Sequence, residues 1–434
     1  MVTYSCPKCE KEFSQKQKYD THMKRIRPCT NKPRNSIETQ ENMKPLEGLK
    51  FIDLFCGIGG FHIALSDLGA KCVLACDIDA KCREVYENNF GIKPHEDITK
   101  LETKDIPSFD ILCGGFPCQA FSHAGKQSGF EDTRGTLFRD ICRILKDCQP
   151  KYFLLENVKN LKGHDGGKTL QVIYKSLQDV GYKTYKDPIC LSPHQIGVPQ
   201  HRERVFILGI RNDIAKEFND FPPLKPIKTD ISSILESEKN IYKELDIPKK
   251  DIKILNKWEE FIQHFKKENY KLPTFPLWTY CWDSKEDIKT LPEWKQKFIK
   301  NNQEFYKNNE LFLKKWLQEA RELETFNGAR AKLEWQCGIF KENDSLWSLL
   351  FTFRPSGIRV KRTNYSGALV AMAQIVNIGS LKRKLSPREV ARLQSFPDSF
   401  KIHESNPVAY KQFGNSVNVN VIKHMLKFLS TQFS

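Results

Sequence analysis

The sequence predicts an α/β protein with a parallel sheet flanked by helices, a separate second domain late in the chain, and a small ββα module at the start. Three observations predict it. Short apolar runs at 51–55, 72–76, 111–113, 153–155 and 205–210 alternate with stretches of helical period such as 137–145, the texture of strands joined by crossover helices. All seven Trp fall between Trp258 and Trp347, where that alternation stops. Finally, Cys6, Cys9 and His22 stand at the spacing of a metal-stapled finger.

Residues 1–35 carry nine basic and three acidic side chains and read as a small module, followed by a polar linker over 36–48. Within the module, Cys6-x2-Cys9-x12-His22 matches the front of a ββα zinc finger, with Phe13 and Tyr19 where its small core needs apolar groups. Tetrahedral Zn2+ needs a fourth ligand. The usual second His is absent, and Cys29 is the candidate that completes a set of three thiolates and one imidazole.

Residues 49–210 form the α/β domain, 211–384 a second domain with polar helical stretches, and 385–434 a return to the first texture ending in an amphipathic helix over 417–428. Across the chain, 69 Lys plus Arg against 53 Asp plus Glu give a net charge of +16, which favours a polyanionic partner. No apolar run approaches the ~18 residues of a membrane span. The first residues lack the profile of a signal peptide, so a soluble, intracellular chain with reduced thiols is expected: cytoplasmic, or nuclear in a eukaryotic host.

The first strand runs into Cys56-Gly57-Ile58-Gly59-Gly60-Phe61, where glycines let a ligand approach the backbone and a helix N-terminus. The second strand ends in Asp77, a carboxylate placed to accept bonds from two ribose hydroxyls. Asp97 offers another acid at a strand end. Together they favour a nucleoside-bearing cofactor, with NAD and S-adenosylmethionine both open, although the turn lacks the full dinucleotide fingerprint. The third strand runs into Gly114-Gly115-Phe116-Pro117-Cys118. A Cys fixed by Gly and Pro at the carboxyl end of a strand is a candidate nucleophile. Glu156, Arg202 and Arg204 also sit at strand ends.

These residues carry a resemblance. DLFCGIGGF, GGFPCQAFS, RGTLF, ENV, QHRER, LSPREVARLQSFP and FGNSV occur in that order, and the chain resembles the DNA (cytosine-5) methyltransferases, particularly bacterial restriction-modification enzymes. The resemblance implies a Rossmann-like S-adenosylmethionine sheet with a target-recognition domain over 211–384. It implies Cys118 as the nucleophile, Glu156 on the ring nitrogen and exocyclic amine, and Arg204 with Arg202 on the base carbonyl. Phe55 and Ile78 would flank the adenine, Asp77 bind the ribose and Asp97 the adenine amine. Gly57, Gly59, Asn415 and Ser416 would hold the methionine end, with Gly60 and Ile98 completing the set.

The flipped cytosine would lie under a loop over 122–136. The partner implied is double-stranded DNA, bound by a monomer, with a cognate restriction endonuclease encoded in the same genome. Seven basic residues and no acid lie in 351–384 (Arg354, Arg359, Lys361, Arg362, Lys382, Arg383, Lys384), and these are expected to contact phosphates or guanines. Two alternatives differ in class. One is a tRNA cytosine-5 methyltransferase, which the long recognition segment disfavours; the other is a zinc-finger DNA-binding protein with a dead catalytic half, which the intact Cys118, Glu156 and Arg204 disfavour.

Overall fold

The computed structural model describes residues 4–5, 12–23, 44–117, 136–237, 243–285, 287–369 and 374–433. At the start, β1 (Tyr4–Ser5) and β2 (Glu12–Phe13) pair antiparallel, and α1 (Lys16–Met23) follows. The ring of Phe13 lies 5.0 Å from that of His22, which is buried in the last turn of the helix. Three expected metal ligands, Cys6, Cys9 and Cys29, lie outside the described residues.

The larger sheet has seven strands, and all five apolar runs are among them. They are β3 (Lys50–Leu54), β4 (Lys71–Cys76), β5 (Ile111–Gly115), β6 (Tyr152–Val158), β7 (Tyr182–Thr184), β8 (Ile189–Leu191) and β9 (Arg204–Arg211), in the order β4-β3-β5-β6-β9-β7 with β8 also on β9. One expectation needs correction, because the sheet is mixed. β4, β3, β5 and β6 are parallel, but β9 runs antiparallel to β6, β7 and β8. An apolar run covered on both faces reads the same in either direction, so periodicity could not show this.

Helices α2 (Gly60–Asp67) and α3 (Ala80–Phe90) join the first strands, α4 (Thr136–Cys148) joins β5 to β6, and α5 (Lys168–Asp179) precedes β7. Side chains alternate along β3. Phe51 faces one core, with Leu65 of α2, while Ile52 and Leu54 face the other, with Ile141 of α4 and Ile173 of α5.

A second sheet takes β10 (Leu277–Trp278), β11 (Lys332–Trp335), β12 (Leu350–Arg354), β13 (Gly357–Lys361), β14 (Asn377–Ile378) and β15 (Arg383–Lys384) in the order β10-β11-β13-β12-β14-β15. Against it lie α6 (Lys249–Lys267), α7 (Glu293–Asn308) and α8 (Glu310–Arg321). Apolar residues at Ile254, Trp258, Phe261, Ile262 and Phe265 give α6 one buried stripe. Trp258, Trp282, Trp316 and Trp335 are buried in this second core, while Trp294 is exposed.

The chain then returns to the first sheet as α9 (Pro387–Leu393), α10 (Asn406–Asn415) and α11 (Val419–Ser430). Ser386 and Glu389 form a capping box with Pro at the first turn, so α9 starts where LSPRE occurs. α11 packs beside α2. Among the described residues no helix is long and apolar enough to cross a membrane.

At the junction of the two sheets, Arg383 of β15 makes a bidentate pair with Glu389 of α9 at 2.8 and 2.7 Å, both buried. Glu389 also accepts from the backbone of Ser386 and Glu236. Removing one member leaves the other charge desolvated. Glu389→Gln is therefore expected to destabilise the fold by about 3–5 kcal/mol, measured by urea unfolding followed by far-UV circular dichroism; an unchanged midpoint would contradict this role.

Candidate active site at the switch point

The chain leaves β3 for β4 on one side and comes back to β5 on the other. This reversal opens a crevice at the carboxyl ends of β3 and β5, where open α/β sheets bind ligands. Phe55, Gly57 and Gly59 all have positive φ (54°, 53° and 90°), so the backbone curls back before α2 begins. At Gly57 a side chain would point into open space; at Gly60 it would meet Val417 Cγ2 at 2.7 Å. The 413–417 strap therefore lies directly on the start of α2.

Asp77 closes the loop. Its two carboxylate oxygens accept from the backbone N–H of Gly57 at 2.7 Å and of Asp79 at 2.8 Å. Burial raises its pKa, and those two bonds oppose the shift. The Arg83 guanidinium donates to the carbonyls of Asp77 and Ile78 and to Glu96. Ile78 is 75 % exposed beside this tip, unusual for an apolar side chain. A bridge between Cys76 and His95 brings Asp97 to the same edge. There it caps a short 3-10 turn by accepting from the Thr99 backbone and hydroxyl, which lowers its pKa, and Ile98 is buried behind it.

Beneath the loop Asp53 is fully buried in β3, with Oδ2 lacking any partner among the described residues. Burial, with the Asp77 charge, pushes its pKa well above the usual carboxylate range.

The second half of the site lies across β5 and β6. Glu156 stands opposite Gly115 in the register, and a Cβ at Gly115 would come within 3.1 Å of its Oε2. The Arg204 Nε donates to Glu156 Oε1 at 2.9 Å. Glu156 is buried, which raises its pKa; the charges of Arg204 and Arg202 oppose that. Cys118, three residues beyond Gly115, lies outside the described residues, as does most of the 122–136 loop.

Arg202 is placed differently from Arg204. It is 4 % exposed, with Nη1 donating to the Leu369 carbonyl and Nη2 to the Ser416 carbonyl. Burial and the Arg204 charge pull its pKa down to about 9. It ties three distant segments together. Ser416, at the end of α10, is buried, while Asn415 is exposed.

The sequence alone assigns Asn157 no role. It is 2 % exposed, and its Nδ2 donates to the Phe116 carbonyl at 3.0 Å, fixing the backbone two residues before Cys118. An Asn inside an apolar strand is against propensity, and that was the available signal. Ser192, whose hydroxyl accepts from the Arg202 backbone, carried none.

The basic cluster of 351–384 divides. Arg362 pairs with Asp344 and Arg383 with Glu389, so these two brace the fold instead of facing a polyanion, contrary to the expectation for the whole cluster. Thr352, Arg354, Arg359 and Lys361 line a pocket of about 290 Å³ with His201 and Gln374. The Lys361 ammonium is held below its usual pKa by burial and by Arg359.

Residues 49–431 match the family model described as C-5 cytosine-specific DNA methylase. The chain is 35 % identical over 382 residues to the type II methyltransferase M.HhaI of Haemophilus parahaemolyticus, covering 88 % of this chain and 94 % of that one. It is 38 % identical over 395 residues to the type II methyltransferase M.HpaII of Haemophilus parainfluenzae, covering 89 % and 90 %. The solved Entamoeba histolytica methyltransferase EhMeth shares the fold at a TM-score of 0.53 and 16 % identity, covering 89 % of this chain and 99 % of that one.

A prediction follows from Asp53. Its raised pKa means that the native state keeps a proton the unfolded chain has already released. Stability from this group is complete below the ordinary carboxylate range and falls as pH rises toward the native value. Between about pH 5 and pH 8, the melting temperature of Asp53→Asn is expected to fall less steeply than that of the wild type. Parallel slopes in calorimetry would contradict a buried protonated carboxyl.

Proposed function

The chain belongs to the C-5 cytosine-specific DNA methylase family and is a DNA (cytosine-5-)-methyltransferase; from that premise we propose which of its residues do the chemistry, and on what. The substrate is double-stranded DNA with the target cytosine turned out of the helix, which costs a few kcal/mol of unstacking. The setting is a type II restriction-modification system, the class in which its curated relatives are named.

Carbon 5 of cytosine is a weak nucleophile. A Cys118 thiolate that adds to carbon 6 pushes an electron pair into the ring and makes carbon 5 electron-rich. Glu156, whose burial favours the protonated carboxyl, donates to the ring nitrogen and so draws that pair along. Arg204 holds Glu156 by its Nε and faces the base carbonyl. Asn157 keeps the approach to Cys118 in place through the Phe116 carbonyl. After methylation, loss of the carbon 5 proton and breakage of the carbon–sulfur bond restore the aromatic ring and free the thiolate. The observation that carries this reading is the pair of buried Glu156 with half-buried Arg204, facing Gly115, three residues before Cys118. Arg202 acts as a positioning residue through Leu369 and Ser416.

S-adenosylmethionine, the cofactor the family implies, supplies an electrophilic methyl group when bound. The residues present fit it. Gly57 leaves open space where a side chain would stand, Ile78 offers an exposed apolar face for an adenine, and each Asp77 oxygen keeps a lone pair for a ribose hydroxyl. Phe55, Asp97 and Ile98 border the base, and Gly59, Gly60, Asn415 and Ser416 the amino-acid end.

At the N-terminus, Cys6, Cys9, His22 and Cys29 hold a structural Zn2+. The hairpin, the helix and the buried His22 support this, and a stretch so short has too little core without metal.

Two tests apply. Duplex DNA carrying 5-fluorocytosine at the target is expected to become covalently joined to the wild-type enzyme and not to Cys118→Ala, which also loses methyl transfer; a persistent adduct or tritiated-methyl incorporation by the variant would refute the nucleophile. Metal analysis of the intact protein is expected to find zinc in stoichiometric amount, released by chelation, with Cys9→Ser lacking it. A zinc-free, folded wild type would refute the metal site.

A further inference from the structure

The second sheet turns Leu333, Trp335, Ile358, Val360 and Phe351 into its own core. The alternate residues share its other face: Lys332 and Glu334 on β11, Arg359 and Lys361 on β13, Thr352 and Arg354 on β12. His201, one residue before Arg202, borders the same pocket. Further, 199–201 and 366 exchange backbone bonds at 2.8 and 2.9 Å, so this face abuts the segment that carries Arg202 and Arg204.

Arginines here differ in how many donors they have left. Arg362 uses Nε, Nη1 and Nη2 on Asp344, Cys337 and Ile339. Arg330 uses Nε and Nη2 on Asp251. Arg359 is bonded through Nε alone, to Glu334 Oε2 at 2.6 Å; no other hydrogen bond of its guanidinium is found among the described residues. Glu334 lies directly opposite in the parallel register and its side chain is 6 % exposed, so it is a fixed support. Arg359 is 30 % exposed and lines the pocket.

We infer that Arg359, held by Glu334, reads a guanine of the target sequence through its two terminal amino groups. This rests on the reading that the polar face of the second sheet meets duplex DNA. A guanidinium gripped at Nε presents Nη1 and Nη2 as parallel donors. In the major groove two acceptors side by side, O6 and N7, belong to guanine; adenine offers a donor and an acceptor. The neighbouring carboxylate also argues against a phosphate. The pair is close to neutral, so it attracts an anion weakly but keeps its donor edge for an uncharged base. Because Glu334 already restricts the side chain, less rotamer freedom is lost when the base arrives.

The target is first defined by methylation sequencing of DNA from cells making the wild type. Synthetic duplexes then carry 7-deazaguanine, which lacks the N7 acceptor, at each target guanine in turn. At one position the wild type is expected to lose about ten- to a hundredfold in kcat/KM, while Arg359→Gln, slower on the natural duplex, loses nothing further there. Glu334→Gln is expected to weaken the preference at that position and no other. The proposal is overturned if Arg359→Gln remains sensitive at every guanine where the wild type is, or if the wild type is insensitive to the substitution at every guanine. It is equally overturned if Arg359→Gln weakens binding alike on all sequences with a shallower salt dependence, the mark of a phosphate contact. An Arg359→Gln enzyme unchanged in rate, sequence preference and salt dependence would go further and remove this sheet face from the DNA altogether. All arms use folded enzyme, and melting temperatures of the variants check that.

Discussion

The buried guanidinium of Arg202 sets the relative position of everything that surrounds the site. It donates to carbonyls 167 and 214 residues away in sequence, at Leu369 and Ser416. Its backbone is anchored on Ser192, and Arg204 two residues later holds Glu156. A charge with this little access to water is tolerable only with such partners, and burial already pulls its pKa down to about 9. The arrangement makes one cation the meeting point of the first sheet, the segment before β14 and the strap at the end of α10. A lysine could not replace it, since a point charge cannot bridge two carbonyls in a fixed plane.

The division of labour along the chain follows from the order reversal at β3 and β5. One side of the crevice gathers the glycine loop, Asp77 and Asp97. The other gathers Glu156, Arg204 and the approach to Cys118. The two sides meet where Val417 lies against Gly60, and even a methyl group there would collide with it. Small residues in this loop thus serve close packing as well as ligand access.

Most of the first sheet was legible because its strands are short, apolar and bounded by Gly, Asp or Pro, and because the motifs fall at their ends. The direction of β9 was not, since a doubly covered strand has no polarity in its composition. The fate of the arginines was not legible either. Arg359, Arg362 and Arg383 look alike in sequence, and only the spatial arrival of Glu334, Asp344 and Glu389 separates a brace from an available donor. Asn157 stood within the recognised ENV triplet, yet its bond to Phe116 depends on a register that sequence does not encode.

The strap on Gly60 and the packing of α11 beside α2 join segments far apart in sequence. A nascent chain therefore leaves the start of α2 uncovered until residue 417 has been made, and pairings this distant form slowly. A product that stops before 413 lacks the strap, and the start of α2 is then left without its cover.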